Sequence, residues 1–182
     1  MKIKISKYYL DKCRDFAEKQ LKGSKDLYAY RGEHNLEKML EDIVVGKLGE
    51  CAVYKYLSDR GLYCTRPDFK IYEAKRKSFD ADLFCENCPV HVKSQSVLSS
   101  KRYGSSWLFQ KSDSLLKCDT TQEFMAFTKV DGDEVDILGI VRAIDIQDLY
   151  GECAVFRYRK TKVALYWDEV KSTLPYYKLR RL

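Results

Sequence analysis

The stretch SFDADLFCENCPVHVKSQS, residues 78–96, decides how the rest of the chain is read. Two runs of alternating residues flank a turn-like break at Glu86-Asn87, and such alternation marks two half-buried strands joined as a hairpin. Setting Cys85 opposite Cys88 pairs Phe84 with Pro89, Leu83 with Val90, Asp82 with His91 and Asp80 with Lys93. Side chains alternate along a strand, so one face carries Ala81, Leu83, Cys85, Cys88, Val90 and Val92. That face is apolar. The other carries Asp80, Asp82, His91, Lys93 and Gln95 and is a candidate site, against the plainer reading of a solvated strand face with one chance Asp-Lys pair.

The segment upstream, residues 35–61, reads as a helix. At about 100° per residue it gathers Leu36, Met39, Leu40, Ile43, Tyr54 and Leu57 on one stripe, with Asn35 as N-cap and Gly61 as stop. Glu50 falls in the middle of that stripe. A carboxylate facing a core must be paired, hydrogen-bonded or metal-bound, because burying it bare costs on the order of tens of kcal/mol by an idealised Born argument. Lys47, three residues earlier, offers the plain alternative of an i, i+3 ion pair. Gly46 and Gly49 each cost up to about 1 kcal/mol in a helix interior relative to Ala. Either they let the hairpin backbone approach closely near Glu50, or they split the helix in two.

A helix containing GKLGE (46–50), an Asp at the start of a strand, and a partner strand ending in VKSQ (92–95) together resemble the core of the PD-(D/E)XK nuclease superfamily. The resemblance spans residues 46–96. It implies a restriction-endonuclease-like fold, an α/β single domain with a central mixed β-sheet flanked by helices. It implies a metal-dependent DNA endonuclease that hydrolyses phosphodiester bonds, of restriction, homing or mobile-element/phage type, with Mg²⁺ or Mn²⁺ as cofactor. By the same resemblance Asp82 and Glu50 hold the ion, and Lys93 sits beside the attacking water and the scissile phosphate. Asp80 would be a second metal ligand or the salt-bridge partner of Lys93, and Gln95 would orient water or substrate.

The chain departs from the family pattern at His91, where the family carries a carboxylate. His91 would bind the ion through a ring nitrogen or act as the base, and imidazole suits Mn²⁺ better than Mg²⁺. A Holliday-junction-type structure-specific resolvase is the alternative within the superfamily. A catalytically inactive nucleic-acid-binding module on the same fold is the alternative from another class, and His91 is its best support.

Composition sets the bounds. The chain has 182 residues, 45% of them hydrophobic, which suits one domain with a substantial core. The formal net charge of +6 is compatible with a polyanionic partner. DNA is the partner expected, with a second copy of the chain as an option and no membrane, since no stretch approaches the ~18 apolar residues needed to span a bilayer. Seven Cys without framework spacing and no N-terminal run of signal type point to a reduced, intracellular (cytoplasmic) protein. The lone Cys85-x-x-Cys88 reads as turn packing, and Cys51, Cys64, Cys118 and Cys153 read as core residues.

Along the rest of the chain, residues 6–21 read as an amphipathic helix ended by Gly23-Ser24, and 25–34 as a loop in which His34 is no ligand. Residues 1–34 thus form an N-terminal helix and loop, 35–97 the catalytic core, and 98–182 a sheet extension with the C-terminal elements. A strand over 62–65 ends before Pro67. Arg76 and Lys77 lie in a basic run beside the hairpin and are candidate DNA contacts. So are Lys101, Arg102, Trp107 and Lys111 in a basic and aromatic loop over 97–113, against the reading that Trp107, Leu108 and Phe109 anchor that loop in the core. Residues 123–130 and 135–142 read as a hairpin around 131–134, residues 144–150 as a short helix, and 154–158 and 163–167 as strands. Pro175 breaks any regular element near the C-terminus, and Arg180 and Arg181 sit in a basic tail.

Overall fold

Asn35 caps the helix that organises the fold: its side-chain oxygen accepts from the Lys38 N–H at 3.0 Å, and α2 runs Leu36–Ser58 from there. The computed structural model describes residues 1–30, 35–71 and 80–174, and for 23–30 the backbone only. Gly46 and Gly49 do not split α2. Gly61, just past its end, has φ +82°, a backbone conformation that glycine adopts without strain. Before α2 come a short strand β1, Lys2–Lys4, which sequence pattern does not signal, and α1, Lys7–Tyr30. The helix expected to end at residue 21 thus runs on; one interior glycine costs only about 1 kcal/mol, and Gly23 does not stop it.

The hairpin forms in the register read from the sequence. β2, Leu83–Cys85, pairs antiparallel with β3, Cys88–Ser96, as Leu83↔Val90, Phe84↔Pro89 and Cys85↔Cys88. Glu86 and Asn87 take φ of 49° and 64°, and a two-residue turn with both φ positive matches the twist of a hairpin. The strand expected over 62–65 shrinks to an isolated bridge, Cys64↔Cys85. These two cysteines are joined by a disulfide, which corrects the expectation of Cys64 as a free core residue and of a fully reduced chain.

After β3 come α3, Val97–Tyr103, and β4, Ser106–Gln110, in place of the expected loop. β5, Phe124–Asp131, and β6, Glu134–Arg142, form the expected hairpin, closed by Gly132 at φ +59°. A 3₁₀ segment, Ala143–Leu149, leads to β7, Tyr150–Gly151. The strand expected over 154–158 is instead a 3₁₀ turn at Phe156–Tyr158. β8, Lys162–Tyr166, runs directly into α4, Trp167–Thr173.

Two sheets result. The larger is mixed, in the order β1-β6-β5-β3-β2, with β3 and β5 parallel and the other pairs antiparallel. The smaller is antiparallel, in the order β4-β8-β7. The C-terminal half therefore does more than extend one sheet. One core lies between α1, α2 and the larger sheet and holds Cys13, Leu48, Val53, Leu57, Val90, Ala126 and Ile137. The other lies between the two sheets and holds Trp107, Phe109, Met125, Phe127, Val141, Leu165 and Trp167. β3 sits between them, with Val90 buried on one face and His91 and Gln95 on the other and its remaining residues half-buried. No helix among the described residues is long and apolar enough to cross a membrane.

Gly49 sets the spacing of the first core. A Cβ there would collide with Ser94 Oγ and lie 2.8 Å from Thr128 Oγ1, whose hydroxyls are themselves hydrogen-bonded at 2.9 Å. Gly46, by contrast, has open space around it. Gly49→Ala should therefore lower stability by about 1–3 kcal/mol, the usual range for overpacking, despite Ala's better helix propensity. A urea titration checks this: the midpoint should drop with an unchanged slope, and a midpoint at or above wild type would mean the helix lifts off the sheet without cost.

Candidate functional site

The β2–β3 ladder stops at Leu83, so Asp82 and Asp80 do not stand opposite His91 and Lys93. Asp82 turns instead onto the edge of β3, where its Oδ2 accepts from the Val92 N–H at 2.7 Å. Beyond that point the edge of β3 has no strand partner on this side among the described residues. A groove of about 410 Å³ runs along the exposed edge from Val92 to Ser96. The first turns of α2, with Lys38, Asp42 and Val45, form one wall. Opposite stand Ser106 and Trp107 of β4, Lys162 and Tyr166 of β8, and the 154–158 segment with Arg157 and Tyr158, while Ser99 and Tyr103 of α3 close one end.

Strand parity decides which candidate residues meet. Ser94 faces Gly49 of α2, and Val90 and Val92 belong to the same core. His91, Lys93 and Gln95 therefore project from the opposite face, toward the second sheet. The expectation that Glu50 and Lys93 converge is corrected: α2 covers the face that Lys93 leaves. Glu50, 8% exposed, bonds to Lys47 at 2.7 Å. Burial pushes its carboxyl up to about 8, with the Lys47 ammonium pulling it back and Asp82 and Asp68 pushing it further. Asp82 and Glu50 are thus brought within electrostatic reach of each other.

Lys93 lines the groove floor with its Nζ 3.9 Å from Asp113 Oδ2 and 4.7 Å from the centre of the Phe109 ring. Asp113 is buried and its other oxygen accepts from the Leu115 N–H at 3.2 Å. Asp113 was not among the residues expected at the site. Its signal in the sequence is only that of a cap, an Asp before the short 3₁₀ segment Ser114–Lys117.

His91 is buried and its Nε2 lies 2.9 Å from Glu123 Oε1, while Cys118 Sγ donates to the other Glu123 oxygen at 3.1 Å. Burial pushes the Glu123 carboxyl up, but the hydrogen bonds from Cys118 and His91 outweigh it and hold it below the usual range. Burial and the Glu123 carboxylate push the Cys118 thiol up to about 11. His91 is thereby tied to a partner on the far face from Glu50, which corrects its placement beside a shared ion. Gln95 is likewise spent on backbone: its Nε2 donates to the Gly104 carbonyl at 3.0 Å and its Oε1 accepts from the Ser106 N–H at 3.2 Å. It fastens β4, one groove wall, to β3.

Among the expected DNA contacts, Lys101, Arg102 and Lys111 are exposed. Trp107 is 3% exposed and packs between Phe127 and Trp167, so it anchors the second core, as the plainer reading had it. Arg76, Lys77, His34, Pro175, Arg180 and Arg181 lie outside the described residues. Among the described residues no group of three or more His, Cys, Asp or Glu is arranged to hold a metal ion. Mg²⁺ commonly takes only one or two protein carboxylates and completes its shell with water and substrate phosphate; Asp82 and Glu50 are the two carboxyl groups within electrostatic reach of each other, and Glu50 would have to give up its proton and its bond to Lys47 to serve as a ligand. In comparison with known proteins, no family model, no curated protein and no solved structure matches this chain.

The Glu50 environment gives a pH dependence with a definite sign. A carboxyl whose folded value lies near 8 keeps its proton when the unfolded chain, near 4.5, has lost it. Its contribution to stability is full below about 4.5 and is lost as pH rises toward 8. Melting curves from about pH 5 to about pH 8 should therefore show wild type losing a few kcal/mol relative to Glu50→Gln. Parallel curves for the two proteins would mean that Glu50 is already ionised throughout.

Proposed function

We propose that the chain is a divalent-metal-dependent DNA endonuclease working in the groove along the open edge of β3. The observation that carries this reading is the placement of Asp82 at the head of the groove: its carboxylate is bonded to the Val92 N–H, and the next residue, Lys93, lines the groove. The walls support it. Arg157 and Lys162 line the groove together with Lys38, which is paired with Asp42 at 2.9 Å, and Lys93, which is backed by Asp113, and the hydroxyls of Ser94, Ser96, Ser99 and Ser106 lie between them. Such a lining attracts a phosphodiester backbone and supplies hydrogen bonds to its oxygens. Lys101 and Arg102, exposed on α3 next to Tyr103, add cations at the rim.

In this reading Asp82 and Glu50 hold Mg²⁺ or Mn²⁺, which when bound polarises a phosphoryl oxygen and offsets the charge that develops on it. Lys93 binds a non-bridging phosphate oxygen as a point charge. Asp113 and the Phe109 ring hold the ammonium in place from behind, so its position does not depend on the substrate. Gln95 acts through structure, by fixing β4.

A second reading, a binding module without catalysis, is favoured by the engagement of His91 with Glu123 and of Gln95 with backbone. Relaxation of supercoiled plasmid separates the two. The wild-type chain should nick or cut with Mg²⁺ or Mn²⁺ and stop in EDTA. Lys93→Ala and Asp82→Ala should each slow cleavage by about 10² or more, the size usual for one preorganised electrostatic contact, with DNA affinity changed far less. Cleavage by Lys93→Ala at the wild-type rate would remove the nuclease assignment; DNA binding with no cleavage in either metal would leave the binding module.

A further inference from the structure

We infer that the groove takes a single strand of nucleic acid, so that the substrate is single-stranded or unpaired and not intact duplex. This rests on the nucleic-acid reading of the groove and deepens it. The first ground is access. Lys93 follows Val92, the residue bonded to Asp82, and where it lines the groove its side chain is only 24% exposed. A volume of about 410 Å³ is on the scale of a small-ligand pocket. A duplex would span the mouth of such a groove, and its phosphates would stay on the rim. A separated strand can enter between α2 and the 154–158 segment and bring a phosphate down to Lys93.

The second ground is the pairing of rings with cations inside the groove. The Arg157 guanidinium lies 4.7 Å and the Lys162 ammonium 4.3 Å from the centre of the Tyr158 ring, and Arg157 also donates to the Tyr158 hydroxyl at 2.7 Å. Tyr103, at the other end, has the Arg102 guanidinium 5.2 Å from its ring centre. In each pair the cation lies over the ring, so a strand that draws the cation onto its phosphate uncovers the ring for a base, and rings and cations together are the combination that holds single strands without sequence preference. In a duplex the base faces are stacked on one another, and these rings would have nothing to receive.

Fluorescence anisotropy of the full chain tests this, using a labelled oligothymidylate, a labelled mixed-sequence strand, and that strand annealed to its complement, all in EDTA so that cleavage plays no part. Both single strands should bind at least about tenfold more tightly than the blunt duplex, the loss expected when stacking platforms go unused. Tyr158→Ala should weaken single-strand binding about tenfold or more, as loss of one stacking platform does, with its salt slope unchanged. Lys162→Gln should instead reduce the slope by about 0.7, the value for one phosphate contact on a single strand. Duplex binding equal to or tighter than single-strand binding overturns the inference, as does a Tyr158→Ala and a Lys162→Gln protein that both bind like wild type. Single-strand binding without plasmid or oligonucleotide cleavage would remove only the nuclease reading, and cleavage confined to duplex would remove only this one.

Discussion

The contact of Gly49 with Ser94 and Thr128 is the constraint on which the remaining structure depends. Because residue 49 has no side chain, the backbone of α2 lies directly on the parallel pair β3–β5, where a methyl group would collide with two hydroxyls. That closeness closes the first core around Val53, Leu57, Val90 and Ala126 and fixes where the neighbouring Glu50 sits. It also settles which face of β3 remains for the second sheet. One face of the strand is used up by α2, and the residues between, His91, Lys93 and Gln95, are left to the other.

The open edge of β3 is a consequence of the shortness of β2. Three residues of ladder leave the backbone of β3 from Val92 onward without a strand beside it among the described residues. Unpaired edges are templates for unwanted pairing, and proteins cover or blunt them. Here the Asp82 carboxylate occupies the first free N–H, and the segment from Ser96 to Ser106 folds back under the hold of Gln95. What remains uncovered is a groove with basic walls. In the reading proposed above, the same gap that would be a liability in a plain sheet is where a backbone phosphate would approach Lys93.

Charges are distributed over the two faces of the strand in separate sets. On the α2 side Glu50 pairs with Lys47 and feels Asp82 and Asp68. On the other side Lys93 is balanced by Asp113, and His91 by Glu123. Glu50, Asp113 and His91 are buried, where a lone charge would be costly. Asp82 is the link between the two sets, since it lies within electrostatic reach of Glu50 while bonded to the residue beside Lys93.

Short-range pattern was enough to determine several pieces. Alternation on either side of Glu86-Asn87 gave the register Leu83↔Val90 and Cys85↔Cys88, because a two-residue turn leaves only one way to pair the strands. Asn35 and the stripe through Met39 and Leu57 gave α2, and the turn at Asp131 to Glu134 gave β5 and β6. Each of these rests on residues a few positions apart. Alternation says which side chains share a face, and it is silent on what covers that face. Only the tertiary structure decided that α2 lies over Ser94 and not over Lys93, that Lys93 meets Asp113 and His91 meets Glu123, and that Trp107 is sealed into a second core. Those outcomes depend on packing between segments that are distant in the chain. The signals there are single residues, an Asp that also reads as a cap, a Glu before a strand, a glycine inside a helix, and their meaning is fixed only when the partner surface is in place.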